Sequence, residues 1–180
     1  MKIISGKYKG RNLDGHNLDG TRPTMERVKE SLFAIIQNHL DNAIVLDLFS
    51  GSGNLGIEAL SEGASYAYLV DFNKKAAITI KNNLNNIGIK DAEVLNLDYK
   101  KALNYLKDKK MDLIFLDPPY KTDFIEQSIK LIDEYNMLNE DGLIICENDS
   151  LDKIVYPENY EVVKDRKYGD KWVVILKKIC

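Results

Sequence analysis

The chain has 180 residues, 44% apolar and 29% charged, with a formal net charge of −3. That length suits one domain with a real core, and no apolar stretch approaches the roughly 20 residues of a membrane-spanning helix. Two cysteines, Cys146 and Cys180, and two histidines, His16 and His39, give neither a disulfide framework nor a metal-ligand spacing, so no metal is expected.

Residues 2–13 read as a short strand or hairpin broken by Gly6, Gly10 and Gly15. An amphipathic helix is predicted over 24–40, with Val28, Leu32, Ile35, Ile36 and Leu40 on one stripe and Thr24 as its N-cap. Arg27 and Lys29 fall on its other faces. An alternation follows: strand 44–49, helix 55–62, strand 66–70, helix 74–85, strand 93–97, helix 99–107, strand 111–116, helix 124–135 and strand 143–147. Two last strands, 160–168 and 172–177, are separated by Gly169-Asp170-Lys171 and form an antiparallel hairpin. The pattern predicts an α/β fold, a mostly parallel twisted sheet with helices on both faces and an antiparallel C-terminal edge. It forms a single domain over 1–180, in which residues 1–43 extend a core of 44–180. Residues 1–10 hold no signal-peptide-like apolar core, so a cytoplasmic location is expected.

Asp117-Pro118-Pro119-Tyr120 follows the apolar run 111–116. It therefore sits where a parallel strand reaches the ligand-binding mouth of such a sheet. Neither proline has an N–H, so the ladder stops and the carbonyls of Asp117 and Pro118 are freed. With the Asp117 carboxylate as acceptor and Tyr120 as a flat ring, the tetrad suits a planar base bearing an exocyclic amino group. The plainer alternative is a strand followed by a Pro-rich turn. A second constellation runs Asp47-Leu48-Phe49-Ser50-Gly51-Ser52-Gly53-Asn54-Leu55-Gly56, a G-x-G-x-x-G between strand and helix. Asp71 lies 20 residues past Gly51, at the end of the next strand. Glycines admit a ligand close to the backbone, the helix start at Asn54 offers N–H groups, and the acid can take ribose hydroxyls. NAD and S-adenosylmethionine both fit this text. Asp47 departs from the apolar strand end usual in dinucleotide binders.

Together these residues resemble class I methyltransferases of the branch that methylates amino nitrogens through D-P-P-Y. The match extends to residues 3–11, to 21–33 with Arg22-Pro23-Thr24, and to 47–60, and there the chain resembles the RsmD family. That family methylates the exocyclic 2-amino group of a guanine in small-subunit (16S) ribosomal RNA. The resemblance implies a Rossmann-like fold, S-adenosylmethionine as cofactor and ribosomal RNA as partner, that of a partly assembled ribosomal subunit included, with the protein acting as a monomer. It places Asp47, Ser50, Gly51, Ser52 and Gly53 along the cofactor, Asp71 on the ribose, Phe72 beside the adenine, and Asp98 on the adenine amino group. For Asp98 a helix N-cap is the alternative. Asp117, Pro118 and Tyr120 are implied as catalytic, with Asp117 also near the cofactor. Arg11, Arg22, Thr24, Arg27, Pro119 and Tyr120 are implied to face RNA, although Arg22 and Thr24 equally suit a helix start. Glu58 is assigned a structural role, and Cys146 a core position.

Charge is uneven. Residues 1–30 carry seven basic and four acidic side chains, and 164–178 six basic and two acidic, against 12 basic and 22 acidic elsewhere. The basic ends are candidates for phosphate contacts or simply solvated faces. Two rival functions use parts of the same text. A DNA amino-methyltransferase shares D-P-P-Y but ordinarily adds a target-recognition domain, and an NAD-dependent oxidoreductase has no use for the tetrad.

Overall fold

The computed structural model describes residues 1–15, 23–149 and 153–180. Its strands are β1 (Ile44–Asp47), β2 (Tyr66–Val70), β3 (Ala92–Leu95), β4 (Met111–Leu116), β5 (Leu138–Asn148), β6 (Tyr160–Tyr168) and β7 (Lys171–Lys178). Its helices are α1 (Pro23–Ile36), α2 (Asn54–Ser61), α3 (Lys74–Ile87), α4 (Tyr99–Tyr105) and α5 (Phe124–Glu134). Among the described residues the strands form one sheet in the order β3-β2-β1-β4-β5-β7-β6. β1 to β5 pair in parallel, and β7 is antiparallel to both β5 and β6. The strand order reverses between β1 and β4, so a crevice opens at their carboxyl ends, where α/β sheets take ligands.

The period-two alternation of the strands splits the core into two layers. Val45, Phe115 and Ile145 join Leu32 of α1, Ile57 of α2 and Ile80 of α3 on one face. Leu46, Ile114 and Cys146 join Leu103 of α4 and Ile129 of α5 on the other. Helices thus cover both faces, as the sequence pattern implied. Phe33 of α1 stacks on Phe115 at 5.8 Å between centroids; Phe115 is fully buried, a burial that stabilises by about 1.5–3 kcal/mol.

Several boundaries differ from the sequence reading by a few residues, and four have a clear cause. α1 begins at Pro23, whose missing N–H is harmless at a first helical position, so Thr24 lies inside the first turn and is not the N-cap. The helix closes at Ile36 and a 3-10 turn, Gln37–His39, completes the expected span. β5 begins at Leu138, paired with Met111 across a register shift. The Asn139-Glu140-Asp141-Gly142 stretch hides this start because its alternation is polar, while the ladder to β4 holds it. Only Gly169 and Asp170 separate the last two strands, so Lys171 opens β7.

The N-terminal hairpin reduces to one antiparallel bridge, Lys2 with Asn12. It is clamped from below. The buried Glu58 carboxylate accepts from the amides of Ile4 and Ser5 at 2.9–3.1 Å. The Lys29 ammonium lies 2.7 Å from Glu58 and donates to the Lys2 carbonyl and Asn54 Oδ1. Lys29, off the apolar stripe in sequence, is thus buried, which an ammonium tolerates only when paired. Glu58 has the structural role assigned to it. Among the described residues no helix is long and apolar enough to cross a membrane.

Candidate active site

β1 ends on Asp47, which shares a sheet face with Val45 and is 1% exposed. Its Oδ2 accepts from the Gly56 amide at 3.0 Å, and its carbonyl from Ser50 Oγ at 2.7 Å. Oδ1 is buried without a hydrogen-bond partner. Burial pushes this carboxyl up to about 7, with the Asp71 and Glu147 charges adding and the Gly56 N–H opposing. The arrangement depends on Gly56. A Cβ there would stand 2.1 Å from Leu69 Cδ2 and 3.3 Å from Asp47 Cβ, so a larger residue would have to displace the buried Leu69 side chain. One first-turn amide of α2 is therefore spent on Asp47 and not offered to a ligand. Gly51 serves differently: its φ is +57°, and a Cβ would meet nothing within 4 Å, so the loop backbone borders open space.

Asp71 follows β2 and fixes the loop from the other side. Its Oδ2 accepts from the Gly51 amide and its Oδ1 from the Asn73 amide, both at 2.9 Å. Asn96 donates to the carbonyls of Asp71 and Phe72 at 3.0 Å, holding a turn on which Phe72 is 72% exposed. The buried Asn83 of α3 donates to the carbonyls of Ser52 and Asp14 and accepts from the Asp14 amide. The loop Ser50 to Gly53 is thus pinned to β2, α3 and the N-terminal segment. Asp98 lies one strand further, exposed, with Oδ1 capping α4 through the amides of Lys100 and Lys101. That is the capping role the sequence left open as an alternative.

The tetrad stands at the end of β4, beside β1 and β5. Alternation puts Asp117 on the same face as Phe115 and Asp47; its side chain is 35% exposed. Pro118 is buried, Pro119 is exposed, and Tyr120 is 64% exposed. Thr122 Oγ1 donates to the Pro119 carbonyl at 2.9 Å, and Lys121 takes a φ of +56° to turn the chain into α5. Phe49, Tyr99 and Phe124 form an aromatic wall nearby, with centroids 4.8–6.1 Å apart.

Two residues that the sequence reading passed over complete this end of the sheet. The Lys171 ammonium lies 3.2 Å from Glu147 Oε2 and 3.9 Å from Asp117 Oδ1. Desolvation lifts the Asp117 carboxyl well above its ordinary value; the Glu147 charge adds to this and Lys171 opposes it. A signal for Glu147 was present: it is the last residue of the apolar run 143–147, as Asp47 and Asp117 close or follow theirs. Lys171 gave none, because its place depends on the length of the hairpin turn.

Of the basic candidates, Arg27 is exposed on α1. Arg11 donates to the Asn86 carbonyl at 2.9 Å, against the last turn of α3. Arg22 and the side chain of Thr24 lie outside the described residues. Cys146 is buried in β5, its thiol pushed up by desolvation, which suits packing and not nucleophilic attack. Among the described residues no group of three His, Cys, Asp or Glu side chains could hold a metal ion.

A sheet of this order, with its glycine loop after β1, its acid after β2 and its antiparallel last strand, defines a class I methyltransferase fold. Within that class the chain belongs to the family described as Conserved hypothetical protein 95, which matches residues 1–177; this agrees with the resemblance to the RsmD family. It is similar to YlbH of Bacillus subtilis, 44% identical over 99% of both chains. Ribosomal RNA small subunit methyltransferase D of Haemophilus influenzae is 36% identical, over 94% of this chain and 89% of that one. The solved structure of yhhF from Escherichia coli superposes with a TM-score of 0.87 at 27% identity, covering 99% of this chain and 98% of the other.

Proposed function

We propose that the protein transfers a methyl group from S-adenosylmethionine to the exocyclic 2-amino group of a guanine in small-subunit ribosomal RNA. The observation that carries this reading is the meeting, at one switch point, of a pinned glycine loop and a half-exposed Asp117 followed by an exposed Tyr120. The name of the Haemophilus influenzae relative supports ribosomal RNA as the substrate class.

The residues present fit the cofactor. The unpartnered Asp47 Oδ1 offers an acceptor where the loop would receive a methionine ammonium. Open space beside Gly51 admits the chain of the ligand. Asp71 stands where a ribose would lie, and Phe72 presents a free face to an adenine. When bound, the sulfonium supplies an electrophilic methyl group, so no covalent enzyme intermediate is required.

The remaining difficulty is the nucleophile, because a guanine amino lone pair is delocalised into the ring. Hydrogen bonds from its two N–H groups to the Asp117 carboxylate and the Pro118 carbonyl favour the pyramidal, attacking geometry. They also stabilise the positive charge that grows on nitrogen. On transfer the amino lone pair would form the new N–C bond as the donor's C–S bond breaks with its pair left on sulfur, and the surplus N–H proton would leave to Asp117 or water. Tyr120 stacks on the base once it is swung out of its helix or loop. Phosphate contacts fall to exposed basic groups such as Arg27 on α1 and Lys164, Arg166 and Lys167 on β6.

The test is transfer of labelled methyl from S-adenosylmethionine to free small-subunit RNA, to assembled subunits and to duplex DNA, with digestion and identification of the nucleoside. Label in 2-methylguanosine at one RNA site supports the reading and identifies the assembly state used. Label in DNA adenine or cytosine alone moves the protein to the DNA branch.

A further inference from the structure

Alternation along neighbouring strands gathers Asp47, Asp117, Glu147 and Lys171 on one face of the sheet. Leu116 pairs with Cys146, so Asp117 and Glu147 are level, and Glu147 pairs with Val173, one pleat from Lys171. β7 runs antiparallel to β5, so its first residue, and not its last, arrives at the carboxyl ends of the parallel strands. The two-residue turn at Gly169 and Asp170 sets which residue that is.

We propose that Lys171 is a positioning residue for methyl transfer: anchored by Glu147 at 3.2 Å and held 3.9 Å from Asp117, its ammonium favours the ionised form of Asp117 while leaving the Asp117 oxygens free to accept from the substrate amino group. The inference rests on the role given above to Asp117. Asp117 has Asp47 of β1, Glu147 of β5 and Asp149 beyond it as acidic neighbours, and Lys171 as the cation that opposes them. Tyr120 faces the same ammonium. A half-buried carboxyl among three like charges favours its protonated form. A protonated Asp117 would turn one acceptor into a donor and lose the contact that activates an amine. Glu147 holds the ammonium by a charge-assisted hydrogen bond and is itself 8% exposed, so the cation has a fixed seat. The Asp117 contact is longer than a hydrogen bond. It acts through charge and does not occupy the oxygen that the substrate needs.

The experiment is the pH dependence of kcat, with S-adenosylmethionine and small-subunit RNA or subunits, for wild type, Lys171→Met, Lys171→Arg, Glu147→Gln and Asp117→Asn. Lys171→Met should move the acidic limb up by about one pH unit or more, which is a roughly tenfold loss of kcat at a pH on that limb. Cofactor KM should be unchanged, and Lys171→Arg should restore most of the limb. Glu147→Gln removes a like charge but also the anchor of the ammonium, two opposed effects, so its limb should move less than that of Lys171→Met. A uniform loss in Lys171→Met with an unmoved limb, or a wild-type profile, overturns the inference. Should Lys171→Met fail to fold, a limb that Lys171→Gln leaves in place overturns it equally. Wild-type turnover in Asp117→Asn refutes the reading of Asp117 itself. An inactive Asp117→Asn beside a wild-type Lys171→Met profile refutes the role of Lys171 alone.

Discussion

The two halves of the crevice are built in opposite ways. After β1, every polar group of the glycine loop that the structure pairs is paired inward: Gly51 to Asp71, Gly56 to Asp47, Ser50 to Asp47, Ser52 to Asn83. After β4, the segment from Pro119 to Thr122 points outward, with Tyr120 largely exposed and a left-handed Lys121. A site for a small cofactor gains from being preformed, because ordering the loop on binding would cost affinity. A site for a base that must leave its own stack gains from an exposed ring with room around it. The difference implies that damage to the first half lowers stability and cofactor affinity, whereas damage to the second lowers turnover and RNA affinity.

The sharpest way to break that division is Asp117→Ala. Methyl transfer should fall by about 10³-fold, in the range seen when one transition-state contact is removed, while cofactor affinity by calorimetry stays near wild type. A parallel loss of both would place Asp117 in the cofactor half. Next in size is Glu58→Ala in α2. It leaves the Lys29 ammonium buried without its partner and two amides without an acceptor, so denaturant melts should show a loss of about 3–5 kcal/mol. A variant as stable as wild type would mean that the clamp beneath the first half contributes little.

Asp47 gives a pH signature to the first half. Its carboxyl titrates near 7 in the folded chain against 3.8 ordinarily, so the native state holds the proton more tightly than the unfolded one. The stability this group contributes is full below about pH 4, falls as pH rises to about 7, and is level above. Asp47→Asn should flatten that fall, worth roughly 2–3 kcal/mol, when urea midpoints at pH 5 and pH 8 are compared, and should weaken the cofactor. Identical pH dependence in both proteins would contradict the buried, unpartnered oxygen. The smallest effect belongs to Tyr120→Ala, where loss of one stacked base costs about 1–3 kcal/mol. The apparent KM for RNA should rise about tenfold with cofactor affinity intact; an unchanged KM would count against stacking.

The residues that end strands were legible in the sequence because strand ends and turn chemistry are local. Asp47, Asp71 and Asp117 each close or follow an apolar run, and the glycines after Asp47 mark the loop by spacing alone. Local pattern also predicted helices on both faces and the antiparallel hairpin. It failed where the deciding partner is distant. β5 starts five residues early because Leu138 pairs with Met111, a contact that no window around Glu140 contains. Lys29 falls off the apolar stripe in sequence, yet it is buried because Glu58, 29 residues away in the chain, supplies the matching charge.

Sequence by itself therefore determined the α/β class, the strand-end carboxylates and the two segments that face the crevice, since all follow from periodicity and backbone chemistry over a few residues. Tertiary structure alone decided which charges meet. Lys171 reaches Asp117 across 54 positions only because β7 runs antiparallel into the edge of β5 and its turn holds two residues. Electrostatics depends on distance in space, and the sheet register sets that distance.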